Sequence, residues 1–312
     1  MKNKLPSLTD YKLDFIKKGI KFPLKTAVQN HSGLLSELPK SGRDASGWPW
    51  NEEADPNIYS RQIKWPKLTI VTPSYNQASY LEETIRSVLL QNYPNLEYII
   101  MDGGSNDGSV EIIKKYAPWV SYWESKKDNG QGHAINKGFS VSSGDYHAWI
   151  NSDDYYLKGI FHLVVKTFLE TKSKFIYGYG YNYSALDKQY HFIKTLPFLD
   201  YFIKIPGIIQ PSTFWASSIH QPIWEDLHCS LDFELWMRMV KGNKRSLIKL
   251  PLSVANEHEQ AKTFDEKMKH KWAEDHQKIW AEDAHGRVYE WKWIFFLNRV
   301  RVKVYRLLGF YD

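Results

Sequence analysis

From Lys67 onward, the sequence alternates between short apolar runs and amphipathic segments. The runs are KLTIVT (67–72), LEYIIMD (96–102), WVSYWES (119–125) and DYHAWIN (145–151), which are typical of strands. Between them we predict three helices. The first is capped by Ser79, with Glu82 completing a capping box, and the others are VEIIKKY and QGHAINKGFSVSS. This alternation predicts an α/β fold with a mainly parallel central sheet flanked by helices.

The flanking sequence is less regular, so we predict one domain over residues 65–260. Residues 1–64 carry scattered proline, glycine and charge, which predicts an irregular extension that is helical at most near Tyr11–Lys18. After Pro251 the chain is expected to be helical, and residues 261–312 are predicted to form a helical C-terminal region.

The bulk properties limit the partners and the compartment. The chain has 312 residues and a net charge of +6, which favours a phosphate-bearing partner. Cys229 is the only cysteine, so no intrachain disulfide can form, as in proteins of a reducing compartment. We find neither a signal peptide nor an apolar run of transmembrane length. We therefore expect a cytoplasmic protein, with peripheral attachment to the inner face of the membrane as a further option.

The turns that follow the predicted strands are the candidate site, because ligands of parallel sheets bind at the carboxyl ends of the strands. Thr72–Asn76 follows the first strand. Asp102–Ser109 follows the second and places three glycines and two carboxylates in one loop. Asp107 and Gly108 could form only a turn, with Ser109 as a helix cap, whereas Asp102 stands directly at the strand end.

The fourth strand ends in Asn151-Ser152-Asp153-Asp154. Adjacent carboxylates repel each other, and a cation or hydrogen-bond donors must compensate them. A divalent metal, Mn²⁺ or Mg²⁺, is a natural compensator and would keep phosphate oxygens in its shell. The alternative is a solvated turn.

Together these segments resemble glycosyltransferase family 2, the inverting enzymes with the A-type nucleotide-sugar fold. The resemblance runs from Leu68 to about Val240, with a weaker tail to about Thr263. It rests on IVTPSYNQASYLEETIRSVLLQNYPNLEYIIMDGGSNDGS, DNGQGHAINKGF, GDYHAWINSDD and LDFELWMRM.

The resemblance implies roles for individual residues. Donor-binding roles fall on Thr72, Ser74, Asp102, Asp128, Gln131, Asn136 and Asp153. Metal-binding roles fall on Asp154, Asn151 and His258, and Asp153 could reach ribose or metal. Asn151 stands where many relatives have aspartate, and His133 where many have an acidic residue. The resemblance places the general base at Asp232, with Glu234 as second choice, although Asp232 could instead cap its helix. Gln210–Trp215 is expected to line the acceptor side.

The function implied is transfer of a sugar from a nucleotide-diphosphate sugar to a hydroxyl of a glycan or lipid-linked acceptor, with a divalent metal, in polysaccharide biosynthesis. A nucleotidyltransferase is an alternative, although TPSYNQ lacks the glycine and basic residues of the usual phosphate loop. A non-catalytic nucleotide-sugar or glycan-binding module is another. The ordered motifs are acidic, so we expect no nucleic-acid partner.

Two helices are predicted near the end of the sequence. Phe264–Glu282 suits an exposed, charged helix. From about Glu290 to Leu308, one helical face would be apolar, with Ile294, Leu297, Val300, Val304, Leu307 and Leu308, and another basic, with Lys292, Arg299, Lys303 and Arg306. This pattern is typical of a helix on an anionic membrane surface. Packing of the apolar face on the domain is the alternative.

Overall fold

The computed structural model of the chain describes residues 5–29, 31–41, 45–60, 62–196, 207–258, 266–281 and 288–309. Its helices are α1 (Leu8–Lys17), α2 (Ala78–Leu89), α3 (Ser109–Tyr116), α4 (Gln131–Ser140), α5 (Ile160–Thr171), α6 (Leu231–Val240), α7 (Glu266–Ala281) and α8 (Val288–Leu307). Its strands are β1 (Leu68–Ser74), β2 (Leu96–Asp102), β3 (Tyr122–Ser125), β4 (Tyr146–Trp149), β5 (Tyr155–Tyr156), β6 (Phe175–Ser184), β7 (Gln189–Ile193), β8 (Thr213–Ala216) and β9 (Arg245–Glu257).

The strands form one sheet in the order β3-β2-β1-β4-β8-β6-β9-β5, and β7 pairs with β6. Strands β1 to β4 are parallel to their neighbours within this group. Beyond β4 the sheet is mixed: β8 is antiparallel to β4 and β6, whereas β6 and β9 are parallel. The predicted α/β fold with a parallel central sheet flanked by helices is confirmed, and its mixed second half was not foreseen.

Helix α4 packs closely on β1 and β2. The close approach requires Gly138, because a Cβ atom there would lie 2.5 Å from Val71 Cγ1. Helix α1 packs against α4, and α2 packs against α3 and β5. Helices that pack on the sheet or on one another therefore flank the first strands and fix the turns at their carboxyl ends.

Two local predictions were wrong. Helix α2 begins at Ala78, so Ser79 lies inside its first turn and does not cap it. The cap comes from another turn, where Asp107 Oδ2 accepts the Ala78 N–H at 2.9 Å. The segment after Pro251 continues as strand β9 to Glu257. It pairs with both β6 and β5, and this long-range pairing decides its conformation.

Residues before the sheet contribute to the same core. Phe15, Leu24, Ala27, Leu34 and Leu38 are buried in the main apolar cluster. Arg86 of α2 is 2% exposed. It donates to the carbonyls of Pro39, Pro49 and Trp50 at 2.8–3.0 Å. The buried guanidinium of Arg86 thus binds the N-terminal extension to α2. The domain boundary that we place at residue 64 stays a prediction.

The C-terminal helices α7 and α8 lie where helices are predicted, but Phe264 and Glu282 fall outside the described residues. Along α8 the exposed apolar side chains recur at helical spacing: Trp293, Phe296, Val300, Val304 and Leu307. Within the described ranges, no helix combines the length and apolar character needed to cross a bilayer.

Candidate active site

The acidic turn after β4 carries a buried carboxylate. Asp154 is 5% exposed. Its Oδ1 accepts the Asn256 N–H at 3.0 Å, and its Oδ2 accepts Asn151 Nδ2 at 3.2 Å. Burial, together with the neighbouring charge of Asp153, raises the pKa of Asp154 well above its usual value. A cation at this turn would offset both the burial of the Asp154 charge and its repulsion by Asp153.

His258 follows β9 and lies beside this turn. Its Nε2 is 3.2 Å from Asp153 Oδ2, although the two residues are 105 positions apart in the sequence. The Tyr80 ring stacks on the imidazole, with 4.4 Å between ring centroids. His258 is therefore held in one orientation beside the acidic turn, and its role in metal binding stays a prediction.

The first turn of α4 connects the acidic turn to α6. Gln131 Nε2 donates to Asn151 Oδ1 at 2.7 Å. Next to it, a Cβ atom on Gly132 would lie 3.3 Å from Leu231 Cδ2. The predicted donor segment thus touches the predicted metal motif on one side and the helix that carries Asp232 on the other.

A second group lies at the carboxyl ends of β1 and β2, where Ser74 and Asp102 are register partners. The Ser74 hydroxyl is buried and has no hydrogen-bond partner among the described residues. The Asp102 carboxylate accepts the Gly104 and Ser105 N–H groups at 3.0 and 2.9 Å and the Ser125 hydroxyl at 2.7 Å. Asp102 therefore fixes the glycine turn, and Ser74 leaves a polar atom unsatisfied at its base.

Asp128 faces this group. A Cβ atom on Gly103 would lie 3.2 Å from Asp128 Oδ2 and 3.2 Å from the ring of Tyr75. Tyr75 is 63% exposed, so an aromatic face borders the turn. Absence of a side chain at Gly103 keeps the space between Asp128 and Tyr75 open.

Two other predicted donor residues point into the protein. Thr72 is fully buried, with its hydroxyl 3.2 Å from the Tyr98 hydroxyl. Asn136 is fully buried and binds the Ile223 backbone, accepting from its N–H at 2.7 Å and donating to its carbonyl at 2.8 Å. In this structure both side chains are occupied by the scaffold and do not join the other site residues.

Asp232 and Glu234 lie in the first turn of α6 but differ in environment. The N-cap residue is Ser230, so Asp232 is not the cap. Asp232 is partly exposed, and one of its oxygens accepts the Phe233 N–H at 2.8 Å. Glu234 is 2% exposed, and its two oxygens accept Arg238 Nε and Nη2 at 2.6 Å each. Glu234 is thus committed to a buried ion pair.

Some residues of the site carry no local signal in the sequence. Asn256 holds Asp154 through its backbone N–H and holds the Asp153 carbonyl through its side-chain amide. Thr84 donates its hydroxyl to the Asp154 carbonyl at 2.6 Å. Both belong to elements distant in sequence, so only the folded sheet shows that they shape the acidic turn.

The oxygen-rich turn fits a hard divalent cation only in part. Within the described residues, no group of three or more His, Cys, Asp and Glu side chains forms a metal-binding cluster. Two adjacent carboxylates and one amide are nevertheless compatible with a cation that also binds phosphate oxygens, as Mg²⁺ usually does. In the described part of the chain, the only ion pair of these carboxylates is that of Asp153 with His258.

The sequence was compared with known proteins. Residues 69–220 match the family model described as glycosyl transferase family 2. The chain is 30% identical to an uncharacterized glycosyltransferase of Rickettsia prowazekii over 201 residues, which covers 59% of this chain and 60% of that protein. It is 33% identical to the putative teichuronic acid biosynthesis glycosyltransferase TuaG of Bacillus subtilis, over 43% of this chain and 56% of TuaG. The chain spans 28%, 42% and 60% of the lengths of three matched Rickettsia relatives.

Solved structures share the fold. The crystal structure of S. aureus TarS 1-349 aligns with a TM-score of 0.56 and 18% identity, covering 72% of this chain and 67% of that one. The same protein in complex with UDP-GlcNAc aligns with a TM-score of 0.53 and 15% identity, over 70% and 73% of the two chains. At this identity the likeness establishes the architecture alone.

Proposed function

We propose, on the premise that residues 69–220 match glycosyl transferase family 2, that the protein transfers a sugar from a nucleotide-diphosphate sugar to an acceptor hydroxyl. The observation that carries the proposal is the continuity of the site. The turn after Asp102 adjoins Asp128, which lies just before α4. The first turn of α4 in turn contacts Asn151 of the acidic turn and Leu231, the neighbour of Asp232. A nucleotide-diphosphate sugar could span these turns, with its nucleoside, its diphosphate and its sugar each at a different turn.

The nucleoside is proposed to bind at the ends of β1 and β2. The unsatisfied Ser74 hydroxyl can hydrogen-bond a base or ribose, and the exposed Tyr75 ring can stack on a base. Asp128 lies across Gly103 and can accept from ribose hydroxyls. That the TarS crystals contain UDP and UDP-GlcNAc makes a uridine nucleotide the first probe to test.

The diphosphate is proposed to be held at the acidic turn with Mn²⁺ or Mg²⁺. Asp154 and Asp153 would be the anionic ligands, with Asn151 and His258 beside them. The cation would neutralise charge that develops on the leaving diphosphate. The raised pKa of the buried Asp154 carboxyl supports this, because among the described residues no positively charged side chain pairs with that carboxylate.

Asp232 is proposed as the general base, because Glu234 is neutralised by Arg238. As the acceptor oxygen attacks the anomeric carbon, its proton passes to an Asp232 oxygen. The bond from that carbon to the diphosphate oxygen breaks at the same time, which inverts the configuration. General-base catalysis of this kind contributes about 10² to 10⁴ in rate.

The acceptor is proposed to be a glycan, free or lipid-linked. Five aromatic side chains lie on one face of the β6–β7 hairpin: Tyr179, Tyr181, Tyr183, Tyr190 and Phe192. Tyr190 and Phe192 are 57% and 44% exposed. The Tyr190 hydroxyl is 3.1 Å from that of Tyr155, which directly follows Asp154. Rings with polar edges suit the apolar faces and hydroxyl rims of sugars.

A lipid-linked acceptor would be reached at an anionic membrane surface through α8. The apolar stripe of α8 is exposed, with Trp293 58% and Leu307 87% accessible. Arg299 and Lys303 are exposed on the same helix. Exposure of apolar and basic faces together supports an interfacial helix over one packed on the domain.

The experiment that tests the proposal is donor hydrolysis over a panel of nucleotide sugars, with Mn²⁺ present and after its removal by chelation. A glycosyltransferase releases nucleoside diphosphate from one or a few donors. Release of pyrophosphate from nucleoside triphosphates with sugar phosphates would instead indicate a nucleotidyltransferase. Donor binding without release, across a panel of glycan acceptors, would indicate a binding module.

A further inference from the structure

The segment that leads into α6 has little regular structure of its own. Strand β8 ends at Ala216, a 3-10 turn spans Ser217–Ile219, and no helix or strand follows until Leu231. We call residues 221–230 the approach segment. It delivers the helix that carries Asp232, so its position sets where that carboxylate lies. Irregular backbone of this kind must be held by contacts from other elements.

Asp275 of helix α7 holds the end of the approach segment. Asp275 is fully buried. Its Oδ2 accepts three consecutive backbone N–H groups, those of His228, Cys229 and Ser230, at 2.9, 2.7 and 3.0 Å. The N-cap Ser230 makes no side-chain capping bond. Asp275 therefore supplies from another helix a negative charge at the start of α6, where the helix dipole favours one.

Two further features anchor α7, one in the core and one on this segment. Ile279, one turn along α7 from Asp275, is fully buried in the core. Lys278 Nζ donates to the Asp226 carbonyl at 2.8 Å. The carboxylate of Asp275 is thus presented by a helix that is itself anchored, and it is not a flexible surface group.

Helix α1 holds the other part of the approach segment. The Tyr11 hydroxyl lies 2.9 and 3.1 Å from the two carboxylate oxygens of Glu225. Asn136 of α4 donates to the same carboxylate at 2.8 Å and also binds the Ile223 backbone. Tyr11 packs edge-on against His133, with 5.3 Å between ring centroids. The Glu225 carboxylate of the approach segment therefore accepts hydrogen bonds both from α1, through Tyr11, and from α4, through Asn136.

We propose that Asp275 and Tyr11 are positioning residues that hold Asp232 at its working place from outside the family-matched region. The inference rests on the proposed function, in which Asp232 takes the acceptor proton. A displacement of about 1 Å at a reacting group can cost on the order of 10² in rate. Loss of either contact should therefore lower kcat and leave nucleotide affinity nearly unchanged, because the nucleotide turns lie on β1 and β2.

The test compares Asp275→Asn and Tyr11→Phe with the parent protein. Glu274→Gln is the matched control on α7, since Glu274 is exposed and adjacent, and Asp14→Asn is the control on α1. Nucleoside diphosphate release from the donor selected in the panel gives kcat and KM, and calorimetry with UDP gives nucleotide affinity. We expect kcat to fall at least about 10-fold in both variants, with KM for donor within about twofold. Both controls should match the parent.

Hydrogen exchange supplies a readout independent of activity. In Asp275→Asn, the amides of residues 228–230 should lose protection, while those of β1 and β2 keep it. Parent-like kcat in both variants, or a rise in donor KM without a change in kcat, would overturn the inference. If Asp275→Asn does not fold, Tyr11→Phe decides, because it removes one hydroxyl and no core volume.

The inference and the proposed function fail differently. If Asp232→Asn turns over like the parent, the assignment of the base is wrong whatever Asp275 does. If Asp232→Asn is inactive and the two positioning variants are fully active, the inference alone is wrong.

Discussion

His258 and Asp153 face each other across the acidic turn, with 3.2 Å between Nε2 and Oδ2. The contact joins the end of β9 to the end of β4, so the second half of the sheet completes the site begun by the first. His258 is 5% exposed, so this contact lies in a buried part of the turn.

Replacing Asp154 should abolish metal-dependent donor binding. Asp154→Asn preserves volume and the contact to the Asn256 N–H but removes the charge a cation needs. Calorimetry should show UDP plus Mn²⁺ binding lost or weakened at least about tenfold, equivalent to roughly 1.4 kcal/mol. The control is Asp187→Asn, which changes an exposed carboxylate in the β6–β7 turn. Parent-like affinity in Asp154→Asn would remove the acidic turn from metal binding.

Replacing Asp232 should stop the chemical step and spare binding. Asp232→Asn cannot accept a proton, so kcat should fall by about 10² or more, while UDP affinity stays within error. Glu234→Gln is the informative comparison, because it breaks a buried ion pair with Arg238. Its main effect should be on stability, about 3–5 kcal/mol. Near-normal turnover in Asp232→Asn would move the base elsewhere.

The α8 helix should bring the protein to anionic vesicles. Each cation near an anionic surface contributes roughly 1 kcal/mol, and added salt screens that attraction. In flotation, recovery with vesicles containing phosphatidylserine should exceed that with neutral vesicles and fall as salt rises. A Trp293→Ser, Phe296→Ser double variant should lose binding, since both side chains are exposed. Equal recovery with both vesicle types would leave α8 without a membrane role.

Acidification should destabilise the fold through buried histidines. Burial lowers the pKa of His147 to about 3 and that of His220 well below its usual value. The unfolded chain protonates these rings below about pH 6.5, but the folded protein does not. Above that pH the two rings do not affect the free energy of unfolding. As the pH falls from about 6.5 toward 3, proton uptake by the unfolded chain lowers the free energy of unfolding. Each ring adds a slope of about 1.4 kcal/mol per pH unit.

Urea unfolding between pH 7.5 and 5 measures this slope. His147→Phe keeps a ring stacked on Phe139 and removes one titrating group, so below about pH 6.5 the slope should decrease by about 1.4 kcal/mol per pH unit. An unchanged slope in His147→Phe would mean that the ring is protonated in the folded protein.

The sequence predicts the first half of the fold well, because local signals decide it there. Strands β1 and β2 fall within two residues of the predicted runs, since each apolar run is buried along its whole length. The cap of α2 was missed because Asp107 provides it from another turn. The end of β9 was missed because strand pairing, and not local pattern, holds it extended.

The site shows the same division. Motif order assigns Asp154 and His258 to one site, and the structure brings them to the same turn through Asp153, whereas their roles stay predictions. Motif order could not reveal that Glu234 is paired with Arg238 or that Thr72 and Asn136 face inward. It also could not reveal Asp275, whose partners are backbone N–H groups that carry no sequence signature.

The buried guanidinium of Arg86 has a practical consequence for how the protein can be cut. A fragment beginning at Leu68 would retain the whole family-matched region but remove the carbonyls of Pro39, Pro49 and Trp50. A buried arginine in the last turn of α2 would then lose three of its acceptors. A fragment made for expression should therefore begin well upstream of the family-matched region and include Phe15 and Leu24, which lie in the same core.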